Sequence, residues 1–186
     1  MQNTTNQSAT PTPEGQEKPS ILYIDDQEDN NVVFKSTFRR YFKVFTAMSG
    51  EEGLRIINSE DIYIVIVDQR MPKMSGVQFL KNLPENKDIV RIIITGYSDT
   101  DAILDAINNA KVYRYIMKPW DKEELVRTMQ NAVKEVQARR ENANLISSLK
   151  AKIEELEQKI NELSLDGCLL KNDSKDQESS SNHKNQ

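Results

Sequence analysis

The segment IYIVIVD, residues 62–68, limits the folds open to this chain more than any other. It is a nearly unbroken β-branched run from Ile62 to Val67, closed by one acid, Asp68. A strand buried on one face alternates apolar and polar residues. A strand buried on both faces does not, and such strands belong to parallel sheets covered by helices. Four shorter runs share this character: ILYI (21–24), KVFTA (43–47), RIIIT (91–95) and VYRYIM (112–117). Helical patterns separate them: Val32, Val33, Phe38 and Tyr41; Leu54, Ile56 and Ile57; MSGVQFLKNL; and DAILDAINNA. Strand then helix, five times over, predicts one doubly wound α/β domain over residues 20–138.

In such sheets ligands bind outside the carboxyl ends of the strands. Reading those ends in order gives Asp25 and Asp26, then Asp68, Thr95 and Lys118. Two adjacent carboxylates at the end of an apolar run repel each other, and burying them unpaired is costly. A multivalent cation resolves the conflict. Oxygen ligands of high charge suit a hard ion, Mg2+ above all, which keeps waters and pairs carboxylates with phosphate oxygens. Lys118 and Thr95 then serve the remaining phosphoryl oxygens, one as a point charge and one as a hydrogen-bond donor. Asp68, alone at the end of the central strand, is placed as a carboxylate nucleophile.

Other chemistries are excluded by what the chain lacks. Its one histidine, His183, lies in a polar tail, and Cys168 is its one cysteine. A Ser-His-Asp triad, a Cys-His pair, a multi-His metal site and a disulfide framework are therefore ruled out. A net charge of −4 gives no general electrostatic footprint for nucleic acid. The N-terminus has no apolar signal core and no run long enough to span a bilayer, so a reduced, cytoplasmic location is expected.

IDD, VDQRMPKMSG, IITG and YIMKPW, in that order, resemble the receiver domain of bacterial two-component response regulators. The resemblance covers residues 20–138 and implies a flavodoxin-like sheet of strand order 2-1-3-4-5. It implies that Asp68 is the phosphoacceptor, taking its phosphoryl group from a phosphohistidine on a sensor histidine kinase or phosphotransfer protein. Asp26, Asp68 and the backbone carbonyl of Arg70 would ligate Mg2+, with Asp25 acting mainly through water. Lys118 would pair with the phosphoryl group, Thr95 would swing towards it, and Tyr115 would follow as the aromatic switch. The Lys118–Pro119 bond would be cis. Such a protein is no enzyme beyond its own phosphorylation and autodephosphorylation, and it acts on a downstream protein by changing what it binds or whether it dimerises.

Two positions depart from the commonest pattern. Arg70 and Tyr97 border the expected phosphoryl position, and both are bulky enough to shield it from water and lengthen its lifetime. Gly96 is small where a partner must approach. Two other readings have weaker support. A haloacid-dehalogenase-type phosphohydrolase wants a second Asp two residues after the nucleophile, where this chain has Arg70. A coiled-coil scaffold whose receiver no longer switches would not need the acceptor, acidic pair, Thr95 and Lys118 together.

Asp121 and Glu124 offer a helix start with capping-box spacing, and no Gly or Pro follows until Gly167, the expected stop. Leu125, Met129, Val133 and Val136 are spaced to cover the sheet. Beyond them Ile146, Leu149, Ile153, Leu156, Ile160 and Leu163 repeat at steps of 3 and 4, a heptad seam with Ile at a and Leu at d. This predicts a coiled coil over 139–166 and a parallel homodimer, with Lys152 at g facing Glu157 at e of the second helix. Glu155 and Lys159 form a pair along one helix. Residues 1–19 and 167–186 read as a disordered arm and tail. Trp120 and Asp121 read as structural. No DNA-reading helix or enzymatic output domain is recognisable, and the ends suggest a stand-alone regulator.

Overall fold

Side-chain alternation along the first strand divides the core in two. The computed structural model describes residues 17–84, 87–96 and 111–178, with side chains through residue 163. Strand β1 (Ser20–Ile24) sends Ile21 and Tyr23 to one face and Leu22 and Ile24 to the other. Strand β3 (Ile64–Asp68) divides Ile64 and Ile66 from Val65 and Val67 in the same way. Strand β4 (Val90–Thr95) divides Ile92 and Ile94 from Ile93. With β2 (Lys43–Ala47) and β5 (Arg114–Met117) they form a five-stranded parallel sheet ordered β2-β1-β3-β4-β5. This is the expected order, with β3 at the centre.

Helices close both faces. Phe34 and Phe38 of α1 (Glu28–Phe38) cover one face, together with Leu125, Val126, Met129, Ala132, Val133 and Val136 from α4 (Lys122–Glu178). Ile57 of α2 (Gly50–Ser59) and Val77, Phe79 and Leu80 of α3 (Gly76–Lys81) cover the other. Polar residues at the starts fix where helices begin. Ser49 accepts from the Glu52 amide, Ser75 and Gln78 make a reciprocal capping box, and Asp121 accepts from the Glu124 amide at 2.8 Å. Each such cap is worth about 1 kcal/mol.

Three expectations change. Val32 and Val33 are exposed rather than core-facing, because α1 turns Asn31, Phe34 and Phe38 inwards. Phe34 stacks on Tyr23 with centroids 4.0 Å apart, and Phe38 meets Trp120 at 5.4 Å; these rings set the helix's rotation. Gly167 does not end α4, which continues to Glu178. One glycine inside a helix costs about 1 kcal/mol relative to alanine, and no proline follows it. Near the N-terminus, order begins before β1: Lys18 Nζ donates to the Arg39 carbonyl and the Lys43 amide to the Pro19 carbonyl. The helical pattern at 101–110, Tyr97, and the ends of the chain at 1–16 and 179–186 lie outside the described residues.

The chain divides into two compact units, Met1–Arg139 and Arg140–Gln186. The first holds the sheet and its covering helices. In the second, every described residue from 141 to 163 is exposed. Among the described residues no helix is long and apolar enough to cross a membrane.

Candidate functional site

Register brings the site together. Ile24 of β1 pairs with Val67 of β3, so the residues that follow, Asp25 and Asp68, emerge side by side. Thr95 of β4 pairs with Met117 of β5, so Lys118 emerges beside them, its amide donating to the Thr95 carbonyl at 2.8 Å. The Lys118–Pro119 bond is cis, as the resemblance implies.

The Lys118 ammonium bridges two carboxylates, 3.0 Å from Asp25 Oδ2 and 2.5 Å from Asp68 Oδ1. The other Asp68 oxygen accepts from the Arg70 amide at 2.7 Å. Asp25 is committed on both oxygens. Oδ2 also accepts from Tyr23 Oη at 2.7 Å, Oδ1 accepts from the Gln27 amide at 3.0 Å, and Asn30 Nδ2 reaches both. Asp26 lies half-buried beside it. Thr95 is buried, its hydroxyl donating to the Gly96 carbonyl at 3.3 Å. The Tyr115 side chain packs against the core with its hydroxyl shielded from solvent. The Arg70 side chain is exposed. Tyr97, expected to border the site with it, is outside the described residues.

Burial is the largest influence on each charged group. It pushes the Asp68 carboxyl above its ordinary range, outweighing Lys118 and the Arg70 amide, with the charge of Asp25 adding to the rise. Burial also acts to raise Asp25, but hydrogen bonds from Tyr23, Asn30, the Gln27 amide and Lys118 together hold it below the usual carboxylate range. Burial would lower Lys118; Asp68 and Asp25 overcome this and raise it, so the ammonium stays charged. Burial and then the hydrogen bond to Asp25 raise the Tyr23 phenol, which remains a donor. The two aspartates are thus driven apart: Asp25 is a fixed anion, and Asp68 is the carboxylate whose charge costs most.

Several supporting residues escape a reading of the sequence. Tyr23, Asn30 and the Gln27 amide hold Asp25. Asn31 Nδ2 donates to the Asp25 carbonyl at 2.7 Å and ties α1 to the end of β1. Gly76 lies against the strand end that carries the nucleophile: a Cβ there would sit 2.6 Å from the Asp68 carbonyl oxygen. The glycine of MSG was the available signal. Gly96, by contrast, faces open space.

Among the described residues, no three His, Cys, Asp or Glu side chains form a ready-made metal cage. Mg2+ does not require one, since it takes one or two carboxylates and fills its shell with water and phosphate oxygens. Three carboxylates against one ammonium leave the pocket net negative, and its donors are all oxygens; both features suit such an ion.

A family model described as the response regulator receiver domain matches residues 21–130. Over 115 residues the chain is 36% identical to the hydrogenase transcriptional regulatory protein HoxA of Cupriavidus necator, covering 61% of this chain and 24% of that protein. It is 28% identical to the sporulation initiation phosphotransferase F of Bacillus subtilis, covering 56% and 86% respectively. Among solved structures, a response regulator receiver domain protein from Clostridium thermocellum superposes with a TM-score of 0.60 at 31% identity, covering 64% of this chain and 98% of that one. The chain therefore spans about a quarter of the length of the HoxA proteins it matches.

Proposed function

The chain belongs to the response regulator receiver family, and on that premise we propose that it accepts a phosphoryl group on Asp68 from a phosphohistidine of a sensor histidine kinase or phosphotransfer protein. The observation that carries this reading is the Lys118 bridge between Asp25 and Asp68. It sets a permanent cation beside the one carboxylate of the pair whose ionised form the fold disfavours.

An Asp68 oxygen attacks phosphorus, the phosphorus–nitrogen bond to imidazole breaks, and an acyl phosphate forms. Lys118 then offsets the added negative charge, and the Arg70 amide keeps the carboxyl oriented. Transfers of this kind need positioning and charge neutralisation more than covalent assistance from the protein. Asp26, Asp68 and the Arg70 carbonyl would hold Mg2+, with Asp25 acting through water, and the ion would supply further neutralisation of phosphoryl charge. Thr95 turns towards the new phosphoryl oxygens and Tyr115 follows it. The altered surface changes what the domain binds, and output passes through protein contacts, to a downstream protein or to a second copy of the chain. Arg70 and Tyr97 shield the acyl phosphate from water. Replacing Arg70→Asn together with Tyr97→Ala is expected to speed its hydrolysis; an unchanged rate removes them from this role. A cytoplasmic location fits a donor kinase with its phosphohistidine inside the cell.

The test is intact mass after incubation with acetyl phosphate and Mg2+, beside Asp68→Asn. One added phosphoryl group, dependent on Mg2+ and missing from the variant, is expected. An adduct that persists in the variant would relocate the acceptor. No adduct with acetyl phosphate or with a phosphorylated histidine donor would overturn the reading.

A further inference from the structure

Six side chains at a and d of α4, Ile146, Leu149, Ile153, Leu156, Ile160 and Leu163, are between 48% and 71% exposed, and Leu145 beside them at g is 58% exposed. Leaving such a row in water is unfavourable by roughly 25 cal/mol for each Å2 that a partner would bury. Their 3-4 spacing winds them into one narrow stripe, too narrow for packing on a sheet and matched to one further helix. We propose that the occupant is a second copy of this chain, aligned parallel and in register. This rests on the reading that output passes through protein contacts, and not on the phosphoryl chemistry.

The extent of the seam is set by its neighbours. One heptad before Ile146 stands Arg139, whose guanidinium is held 2.9 Å from Asp88 and 2.7 Å from Glu135. That a position is occupied by a cation already engaged with the loop before β4. One heptad after Ile160 stands Gly167, which adds no side chain to the seam. Seven a and d positions lie between them: the first is Asn142 at d, and the six that follow carry Ile at every a and Leu at every d, the combination that favours two parallel strands.

Charge selects the orientation. In a parallel pair the g position faces e of the next heptad on the other helix, so Lys152 meets the partner's Glu157. In an antiparallel pair g faces g and e faces e, so Lys152 meets the partner's Lys159 and Lys150 meets the partner's Glu157. Within one helix Glu155 holds both lysines, Lys152 at 2.7 Å and Lys159 at 2.6 Å. Glu157 has no ion pair among the described residues and is left to receive the partner's Lys152. A parallel pair gains two attractive contacts and no repulsive one; an antiparallel pair gains two from Lys150 and Glu157 but sets lysine against lysine twice.

The experiment is sedimentation equilibrium of the full, unphosphorylated chain at micromolar concentration, with acetyl phosphate labelling of each variant run alongside. The wild type is expected to be dimeric. Ile153→Asp with Leu156→Asp is expected to be monomeric and still to label at Asp68, which shows that the receiver is folded. Lys152→Glu is expected to weaken the dimer about tenfold, and Glu157→Lys similarly; the double reversal is expected to restore it. A monomeric wild type, or a seam variant that still dimerises, overturns the proposal. Tighter association of Lys152→Glu overturns the parallel orientation. Loss of labelling in a dimeric wild type strikes the phosphoacceptor reading alone.

Discussion

The two units of this chain use the same residues, isoleucine and leucine at regular intervals, with opposite outcomes. In the sheet unit Ile64, Ile66, Ile92 and Ile94 have no exposed surface, whereas in the C-terminal unit Ile146, Ile153 and Ile160 are more than half exposed. Periodicity alone does not make a core. Period 2 on five strands gives two faces that one chain can close with its own helices. Period 3.5 on a single helix gives one stripe that stays largely exposed among the described residues. The difference has a functional corollary: Asp25 and Asp68 are held side by side because β1 and β3 are buried on both faces, and β5 brings Lys118 to them through its pairing with β4.

Core truncation separates the two regions most strongly. Phe34→Ala removes the ring stacked on Tyr23 and is expected to destabilise the sheet unit by about 3–5 kcal/mol. Ile153→Ala, at a concentration where the chain is monomeric, is expected to change stability by less than about 0.5 kcal/mol. Equal losses in chemical denaturation would show that the seam is already buried.

Within the sheet unit, removing the bridging cation comes next. Lys118→Met leaves two carboxylates facing each other and is expected to cost about 1–3 kcal/mol, less than for a fully buried pair because the lysine is partly exposed. Labelling by acetyl phosphate should fall with it. Gly76→Ala tests whether the strand end tolerates pressure. The added methyl meets the Asp68 carbonyl oxygen, so a loss of about 1–3 kcal/mol and slower labelling are expected. An unchanged melting curve would mean that the backbone yields there.

The smallest effect depends on pH. The Asp68 carboxyl is raised, so its ionised form lowers stability above the ordinary carboxylate range, and that cost is relieved as pH falls through the raised value. Asp25 is depressed, so its contribution is present above the ordinary value and is lost only as pH falls further, through its lowered one. Asp68→Asn should therefore be more stable than wild type at neutral pH. The gap should close on acidification, before Asp25 begins to protonate. A gap independent of pH would show that burial does not set the Asp68 charge.

The sheet was legible because buried parallel strands leave unbroken runs, and the site was legible because each run ends in a chemically distinctive residue. What could not be read depends on rotation and on close approach. Val32 and Val33 look as apolar as Phe34, but aromatic contact with Tyr23 and Trp120 decides which side of α1 faces in. Asn30 and Tyr23 look like loop and core until α1 and β1 place them on Asp25. Gly76 looks like part of a turn until the Asp68 carbonyl is found beneath it. Gly167 reads as a stop because glycine often is one, yet the backbone runs on through it.

Trp120 is the chain's one tryptophan, two residues beyond Lys118 and in edge or tilted contact with Phe34 and Phe38. The protein therefore carries its own optical reporter. Its emission arises from a single indole, seated where the strand end that holds the ammonium turns into the C-terminal helix. Titrating Mg2+ or a phosphoryl donor against the unlabelled wild type should register as a change in intensity or wavelength from that one point, with no second tryptophan to dilute the signal.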